Sequence, residues 1–168
     1  MITANGLSFL GLIATLIILY ANLRTWWTGS RNLKSIAPFA SGFCFGGAAT
    51  ACTGGLLGFL AGCTVGAANT GGEKGVPKLT GAQGNGALAR GDLGTLTLEG
   101  GGIVALATVA LIISWRAAGK DVKKRMVGGV WCGTTLCVTA GVAGLMQWLI
   151  PSINQAGATV RALVESGL

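Results

Sequence analysis

The residues that could carry chemistry are few, and their spacing does not build a reaction centre. The chain of 168 residues has five cysteines, five carboxylates and no histidine. The cysteines all lie in apolar stretches, without CxxC spacing and without a neighbouring carboxylate: Cys44, Cys52, Cys63, Cys132 and Cys137. Because metal sites need clustered Cys, His or carboxylate ligands, the sequence predicts no metal, no cofactor and no enzymatic activity.

Polar groups that could work at membrane depth are equally scarce. Transporters driven by ions usually keep an ionisable residue inside a span, and the long apolar stretches contain none. Asn22 and Gln147 lie close to predicted helix ends, where anchoring or an interhelical hydrogen bond is expected. The Gly-rich segment 71–99 has no GxxxxGK[ST] motif. Its Gly84-Asn85-Gly86 lacks the strand and helix that flank a dinucleotide fingerprint, so no nucleotide site is predicted.

The composition places these residues in a membrane protein. Hydrophobic residues make up 51% of the chain and charged residues only 10%, against about 25% charged in an ordinary soluble domain. Residues 1–23, 35–72, 100–115 and 126–160 carry no charge. Since about 20 apolar residues span the hydrocarbon core as a helix, the sequence predicts an all-α integral membrane protein. It would have about four transmembrane helices, arranged as two helix–basic loop–helix hairpins.

Two of the predicted spans carry a small residue at every fourth position. The first series is Gly42, Gly46, Thr50, Gly54, Gly58, Gly62 and Gly66, and the second is Gly129, Gly133, Cys137 and Gly141. Such a face lets another helix backbone approach closely in a membrane. A step of four residues drifts by about 40° around a helix with 3.6 residues per turn. We therefore predict helix-packing surfaces, with at least two different neighbours for the first series.

Basic and aromatic residues flank the apolar stretches. The clustered cations are Arg24, Arg31, Lys34, Arg116, Lys120, Lys123, Lys124 and Arg125, and the predicted interface anchors are Trp26, Trp27, Trp115 and Trp148. By the positive-inside rule, the two basic loops face the cytoplasm. Both termini and the central loop are then extracytoplasmic, in a multi-pass protein of the cell membrane. The net charge of +7 is interpreted as contact with anionic lipid headgroups of the bilayer, and no nucleic-acid partner is predicted.

The predicted organisation has four parts. Residues 1–70 form a first transmembrane hairpin, 71–99 a Gly-rich extracytoplasmic loop, 100–150 a second hairpin and 151–168 a C-terminal tail. Within the loop, Lys78-Leu79-Thr80 and Thr95-Leu96-Thr97-Leu98 form either a short β-hairpin or part of a flexible segment. Pro151 is expected to stop the fourth helix. The first apolar run has no positive charge before it, which favours a retained helix over a cleaved signal peptide.

The two halves resemble each other. Each reads as an apolar helix, a tryptophan, a basic loop and a helix rich in Gly, Cys and Thr, and Ala14-Thr15 can be aligned with Ala107-Thr108. Any protein with four spans and short cytoplasmic loops shows some of this similarity. Duplication and chance therefore both stay open.

The layout of helix, basic loop and helix with abundant Gly and Ala resembles the subunits of conjugation or type IV secretion pili. That resemblance implies a self-associating structural subunit or scaffold of a membrane assembly, and hence a homo-oligomer. Short length, several spans and a basic segment are also similar to phage holins, which implies a pore- or lesion-forming protein as an alternative. A third alternative is an accessory subunit of a larger membrane complex, contacted through the Gly-rich loop.

Overall fold

Seven helices make up the fold of the computed structural model, which describes residues 6–29, 33–81 and 86–167. They are α1 Phe9–Thr28, α2 Leu33–Ala51, α3 Gly55–Thr80, α4 Leu98–Ala117, α5 Lys120–Leu136, α6 Ala140–Leu145 and α7 Leu149–Glu165. The all-helical class is confirmed, and the described ranges contain no strand. The β-hairpin alternative is wrong because Lys78 to Thr80 belong to α3, while Thr97 is the N-cap of α4.

The first small-residue series is divided between two helices. Helix α2 ends at Ala51, where Cys52 N donates to Ala49 O at 3.3 Å in a tightened last turn. Helix α3 starts at Gly55, whose φ of +73° is left-handed and interrupts a right-handed helix. The two helices are bent by 107°, so residues 42–66 do not form one continuous helix.

The predicted fourth span is also interrupted. Helix α5 ends at Leu136, and the chain turns at 137–139 and again at 146–148. Pro151 does not stop a helix, because it lies in the first turn of α7, where its missing N–H leaves no bond unmade. The expected tail 151–168 is helical as far as Glu165. The expected loop 71–99 is shorter than predicted, since α3 continues to Thr80 and ends at Gly81 with φ +71°.

In the part of the chain that the structure describes, two helices are long and apolar enough to cross a membrane, α1 and α4, and a third span arises if the bent pair α2 and α3 counts as one. Both α1 and α4 expose large apolar side chains, among them Ile17 and Tyr20 on α1 and Leu106 and Ile113 on α4. This arrangement is compatible with a membrane protein. It supports two to three of the four predicted spans.

Helices α2 and α5 lie side by side at the centre and run parallel. Gly42 lies beside Met126, and Gly46, one turn later, lies beside Val130. Because a basic segment precedes each helix, both basic segments lie at one end of the bundle, named here the basic end. At the opposite end, the capped end, α3 runs from the end of α2 to the start of α1, where Gly72 contacts Leu10.

Candidate functional site: a glycine crossing with two equivalent sides

Glycines on α2 bring its backbone into contact with that of α5. The position that a Cβ would take at Gly42 lies 2.5 Å from Met126 O, and the same position at Gly46 lies 2.7 Å from Thr134 N. Real Cβ atoms do not approach backbone this closely, so any side chain here would push the helices apart. The close approach is the geometry for which small residues are selected in helix pairs within membranes.

Glycines on α5 make the matching contacts in the opposite direction. The Cβ position at Gly129 lies 3.0 Å from Phe43 N, just as that at Gly42 lies 3.0 Å from Val130 N. Gly133 lies against Phe43 as Gly46 lies against Val130. These four glycines therefore form one reciprocal contact, in which two glycines of each helix lie against the backbone of the other helix. We name this contact the crossing.

The same correspondence extends to the starts of α1 and α4. Ser8 is the N-cap of α1, and its Oγ accepts from Gly11 N at 3.1 Å. Asn69 on α3 accepts from Ser8 N at 2.8 Å and donates to Gly6 O at 3.2 Å. One asparagine thus ties α3 to the cap of α1 and satisfies a backbone donor that a helix start leaves unpaired.

A second asparagine repeats this arrangement on the other side of the molecule. Thr97 is the N-cap of α4, and its Oγ1 accepts from Gly100 N at 3.1 Å. Asn154 on α7 accepts from Thr97 N at 3.0 Å and donates to Thr95 O at 3.0 Å. Gly157 packs on the Glu99–Gly100 peptide, as Gly72 packs on the start of α1. We name the two arrangements the Asn69 latch and the Asn154 latch.

These contacts set the register between the halves. Gly11 corresponds to Gly100, so the alignment of Ala14 with Ala107 suggested by the sequence is displaced by one helical turn. Helices α1 and α2 correspond to α4 and α5. Helix α3 corresponds to α6, the turn at 146–148 and α7 taken together, because Ala140 to Glu165 covers the same 26 residues as α3. The turn is the difference between them.

The side of the crossing beside α1 is closed. Thr15 on α1 is fully buried, and Cys132 on α5 approaches its carbonyl oxygen with Sγ at 3.9 Å. Nearer the basic end, Asn22 lies over Gly128, whose Cβ position is 2.7 Å from Asn22 Nδ2. The small size of Cys132 and Gly128 lets α1 pack directly on α5, and Ile18 fills the remaining space.

The side beside α4 is open. In the same register, Phe45 of α2 is equivalent to Cys132 of α5. Ser41 of α2 is likewise equivalent to Gly128 of α5. On α4, Ala107 stands where α1 has Ile18. A larger residue on the central helix and a smaller one on the outer helix leave a cavity of about 410 Å³ between α2, α4 and α7. We name it the α2–α4 groove.

The remaining positions of the two small-residue series are not at the crossing. Thr50 donates to Gly47 O within its own helix at 2.7 Å, and Gly58 abuts the carbonyl of Cys52 at the bend. Cys137 is buried at the end of α5. The positions with open space beside their Cα atoms are Gly54, Gly62, Gly66 and Gly141. The first series, predicted as one continuous packing surface, is therefore divided. Some of its residues lie at the crossing, some at the bend between α2 and α3, and some on the exposed face of α3.

The basic and aromatic positions gather toward the basic end, with one exception. Arg125 donates to Ser35 O at 2.5 Å and ties the start of α5 to α2. Arg24, Lys34, Arg116, Lys120, Lys123 and Lys124 lie on the adjoining ends of α1, α2, α4 and α5, and Arg31 lies outside the described residues. Trp26 and Trp27 pack edge to face at the end of α1, and Trp115 lies at the end of α4. Trp148 lies instead in the turn before α7.

Sequence reasoning missed the two latches. Asn69 lies at the very end of the predicted first hairpin, and Asn154 lies in the predicted C-terminal tail. The signal was present as a repeated pair of spacings, S/T-x-x-G at Ser8 and Thr97 and N-x-x-G at Asn69 and Asn154. The Asn154 latch also holds an ion pair, Arg161 to Glu99 at 2.7 Å. Hydrogen bonds to Glu165 and Glu99 raise the pKa of Arg161.

Within the described ranges, no group of three or more His, Cys, Asp or Glu side chains could hold a metal ion. What the site offers is packing: a closed face, an open groove and unpartnered glycines. Comparison of the chain with protein-family models, with curated proteins and with solved structures finds no match. The functional argument therefore rests on the geometry of this chain.

Proposed function

We propose that this chain is a non-enzymatic structural subunit of a membrane assembly, which associates with further copies of itself through α3. The observation that carries the proposal is the exposed face of that helix. Gly62 and Gly66 lie one turn apart with nothing within 4 Å of their Cβ positions. Gly66 is exposed and Gly62 half-buried, and Phe59 and Cys63, which share this face, are exposed. The opposite face, with Val65 and Ala68, is buried against the molecule.

The division of the small-residue positions supports this proposal. Gly42, Gly46, Gly129 and Gly133 are already used within the chain, whereas the α3 face retains the same small-xxx-small spacing without a partner. In pairs of transmembrane helices such faces associate by close backbone packing, and α3 offers the same small-residue geometry at the capped end. A further copy supplies a matching face by symmetry, because a two-fold contact joins the same patch on both subunits.

The membrane arrangement that accompanies the proposal has α1 and α4 crossing the bilayer with α2 and α5 packed between them, and the basic end in the cytoplasm. The 20 residues of α1 and of α4 give each helix a length of about 30 Å, the hydrocarbon thickness. Charged residues occupy the start of α5, so its apolar part, residues 126–136, is only about 16 Å long. The first and last described residues, Gly6 and Gly167, and residues 86–97 then lie at the extracytoplasmic, capped end. The pilus-like assembly suggested by the layout remains a prediction within this proposal.

The structural role is favoured over a pore because buried threonines bond within their own helix. Thr134 Oγ1 donates to Val130 O and Thr135 Oγ1 to Trp131 O, each at 2.8 Å. These hydroxyls are already paired by the backbone and are nearly or fully inaccessible. Residues that line a water-filled path would instead expose their polar groups to it.

The proposal is tested by the size of the protein in mild detergent and in bilayers. The double variant Gly62→Leu/Gly66→Leu should reduce the oligomer to the monomer, because two side chains then fill the contact face. Gly71→Leu is the matched control, since Gly71 is equally open on α3 but lies on another side of the helix. A wild-type protein that is monomeric in bilayers, or a double variant of wild-type size, would contradict it. Dye release from vesicles would support the pore-forming alternative.

A further inference from the structure

The α2–α4 groove is the place where the correspondence between the two halves fails. Its wall on α4 extends from Ile103 to Ser114, and its wall on α2 extends from Ala48 to Ser41. The equivalent space on the other side of the crossing is filled by direct packing of α1 on α5. The groove therefore results from specific residue differences, with Phe45 holding α4 off and Ala107 leaving the space.

The dimensions of the groove fit a single hydrocarbon chain. Residues 103 to 114 rise by about 16 Å along a helix, which is close to half of the roughly 30 Å hydrocarbon core and so to one leaflet. The volume of about 410 Å³ lies in the range of small-ligand sites. A 16 Å length of a second helix, about 10–12 Å across with its side chains, would fill roughly 1,300–1,800 Å³, several times the volume of the groove.

One end of the groove lies toward the basic segments and the other end is apolar. Ser41, Ser114 and Met126 line the end that lies toward the basic segments. Arg125, next to Met126, donates to the carbonyl oxygen of Ser35 at the start of α2 and so places its positive charge at this end. Cations beside a membrane surface attract anionic headgroups. The other end, at Ile103, Leu149 and Ile153, is apolar.

We propose that the α2–α4 groove binds one acyl chain of an anionic phospholipid from the leaflet at the basic end, with the lipid phosphate beside Arg125. The lipid then occupies the position that Ile18 and its neighbours fill on the closed side. It completes the packing of α4, a helix whose apolar length is otherwise mostly exposed. The proposal does not depend on self-association through α3.

The test is native mass spectrometry of the full chain, incubated with phosphatidylglycerol or with phosphatidylcholine of the same acyl chains. Ala107→Phe should lower retention of phosphatidylglycerol about tenfold, because the ring displaces roughly two methylenes from the groove. Leu106→Phe is the control, since Leu106 is 65% exposed on another side of α4. Arg125→Gln should remove the preference for phosphatidylglycerol over phosphatidylcholine, whereas Arg24→Gln on the closed side should preserve it.

Wild-type retention of phosphatidylglycerol by Ala107→Phe would overturn the groove as the site, and equal retention of both lipids by the wild type would overturn the headgroup selection. If Ala107→Phe does not fold, two further measurements decide. Ala107→Ile introduces the residue found on the closed side and should also reduce binding. In the wild type, phosphatidylglycerol with a photoreactive acyl chain should label Ala107 and Ala110 more than Leu106 and Val109. The reverse labelling pattern would contradict the proposal.

Discussion

The two sides of the α2–α5 crossing show how one packing plan can give different surfaces. On one side, the small residues Cys132 and Gly128 let α1 pack directly against α5, and Thr15 is fully buried there. On the other side, Phe45 and Ser41 hold the corresponding helix away, leaving a cavity of about 410 Å³. The comparison teaches that the glycine crossing determines the architecture, while a few residues beside it determine which face is sealed and which is available.

The largest expected effect is a change at the crossing itself, which both sides share. Gly133→Leu should destabilise the fold by about 3 kcal/mol or more, since the side chain meets the Phe43 backbone and no rotamer can avoid it. Gly141→Leu, from the same predicted series but with open space, should cost under about 0.5 kcal/mol. Unfolding in mixed micelles measures both, and equal losses would mean that the crossing does not hold the halves together.

The two latches should differ in strength although their hydrogen bonds match. Asn69→Ala leaves the N–H of Ser8, a residue that is 3% exposed, without its partner, at a cost of about 1–3 kcal/mol. Asn154→Ala should cost less, because Thr97 is exposed and water can replace the lost bond. The same unfolding assay measures the free energy of unfolding that each variant loses. The ratio of the two values tests whether the burial of Ser8 and the exposure of Thr97 set the strength of each latch. A larger loss at Asn154 would contradict it.

A smaller effect should follow from exchanging the residues that distinguish the sides. Cys132→Phe puts a ring into the closed interface, where Cys132 has no exposed surface, and should cost about 2 kcal/mol. Phe45→Cys on the open side should cost under about 1 kcal/mol, because α4 can move toward α2 as α1 does toward α5. If Cys132→Phe proves as mild as its counterpart, the two sides do not differ in packing.

The exposed face of α3 offers a further contrast with the buried crossing. Cys63 is the exposed free cysteine on that face, and two copies associated there would bring the two thiols near each other. Mild oxidation in membranes should therefore produce a covalent dimer, and Cys63→Ser should abolish it. Cys44→Ser, on α2 beside the groove, is the control and should leave the dimer unchanged. A dimer that survives Cys63→Ser would move the contact away from this face.

The sequence predicted the helical class and the close-packing glycines, because apolar length and small-residue spacing are local patterns. Gly42 and Gly129 were singled out in this way. The breaks after Ala51 and Leu136 were not predicted, since each depends on a left-handed glycine or a turn within an apolar run. The sequence alignment of Ala14 with Ala107 is displaced by one helical turn from the structural one, because Ala and Thr recur often in both helices. Asn69 and Asn154, whose role depends on distant caps, fix the register that the local pattern left open.

The orientation of the halves is tested most directly by labelling single cysteines from outside intact cells, in a chain whose five native cysteines are replaced by alanine. Parallel halves place Thr28 and Gly119 together at the basic end, and Gly86 and Ser166 at the capped end. An impermeant maleimide should therefore label Gly86→Cys and Ser166→Cys in intact cells. Thr28→Cys and Gly119→Cys should both react only after permeabilisation. Reaction of Thr28→Cys and Gly119→Cys from opposite sides of the membrane would contradict the parallel crossing.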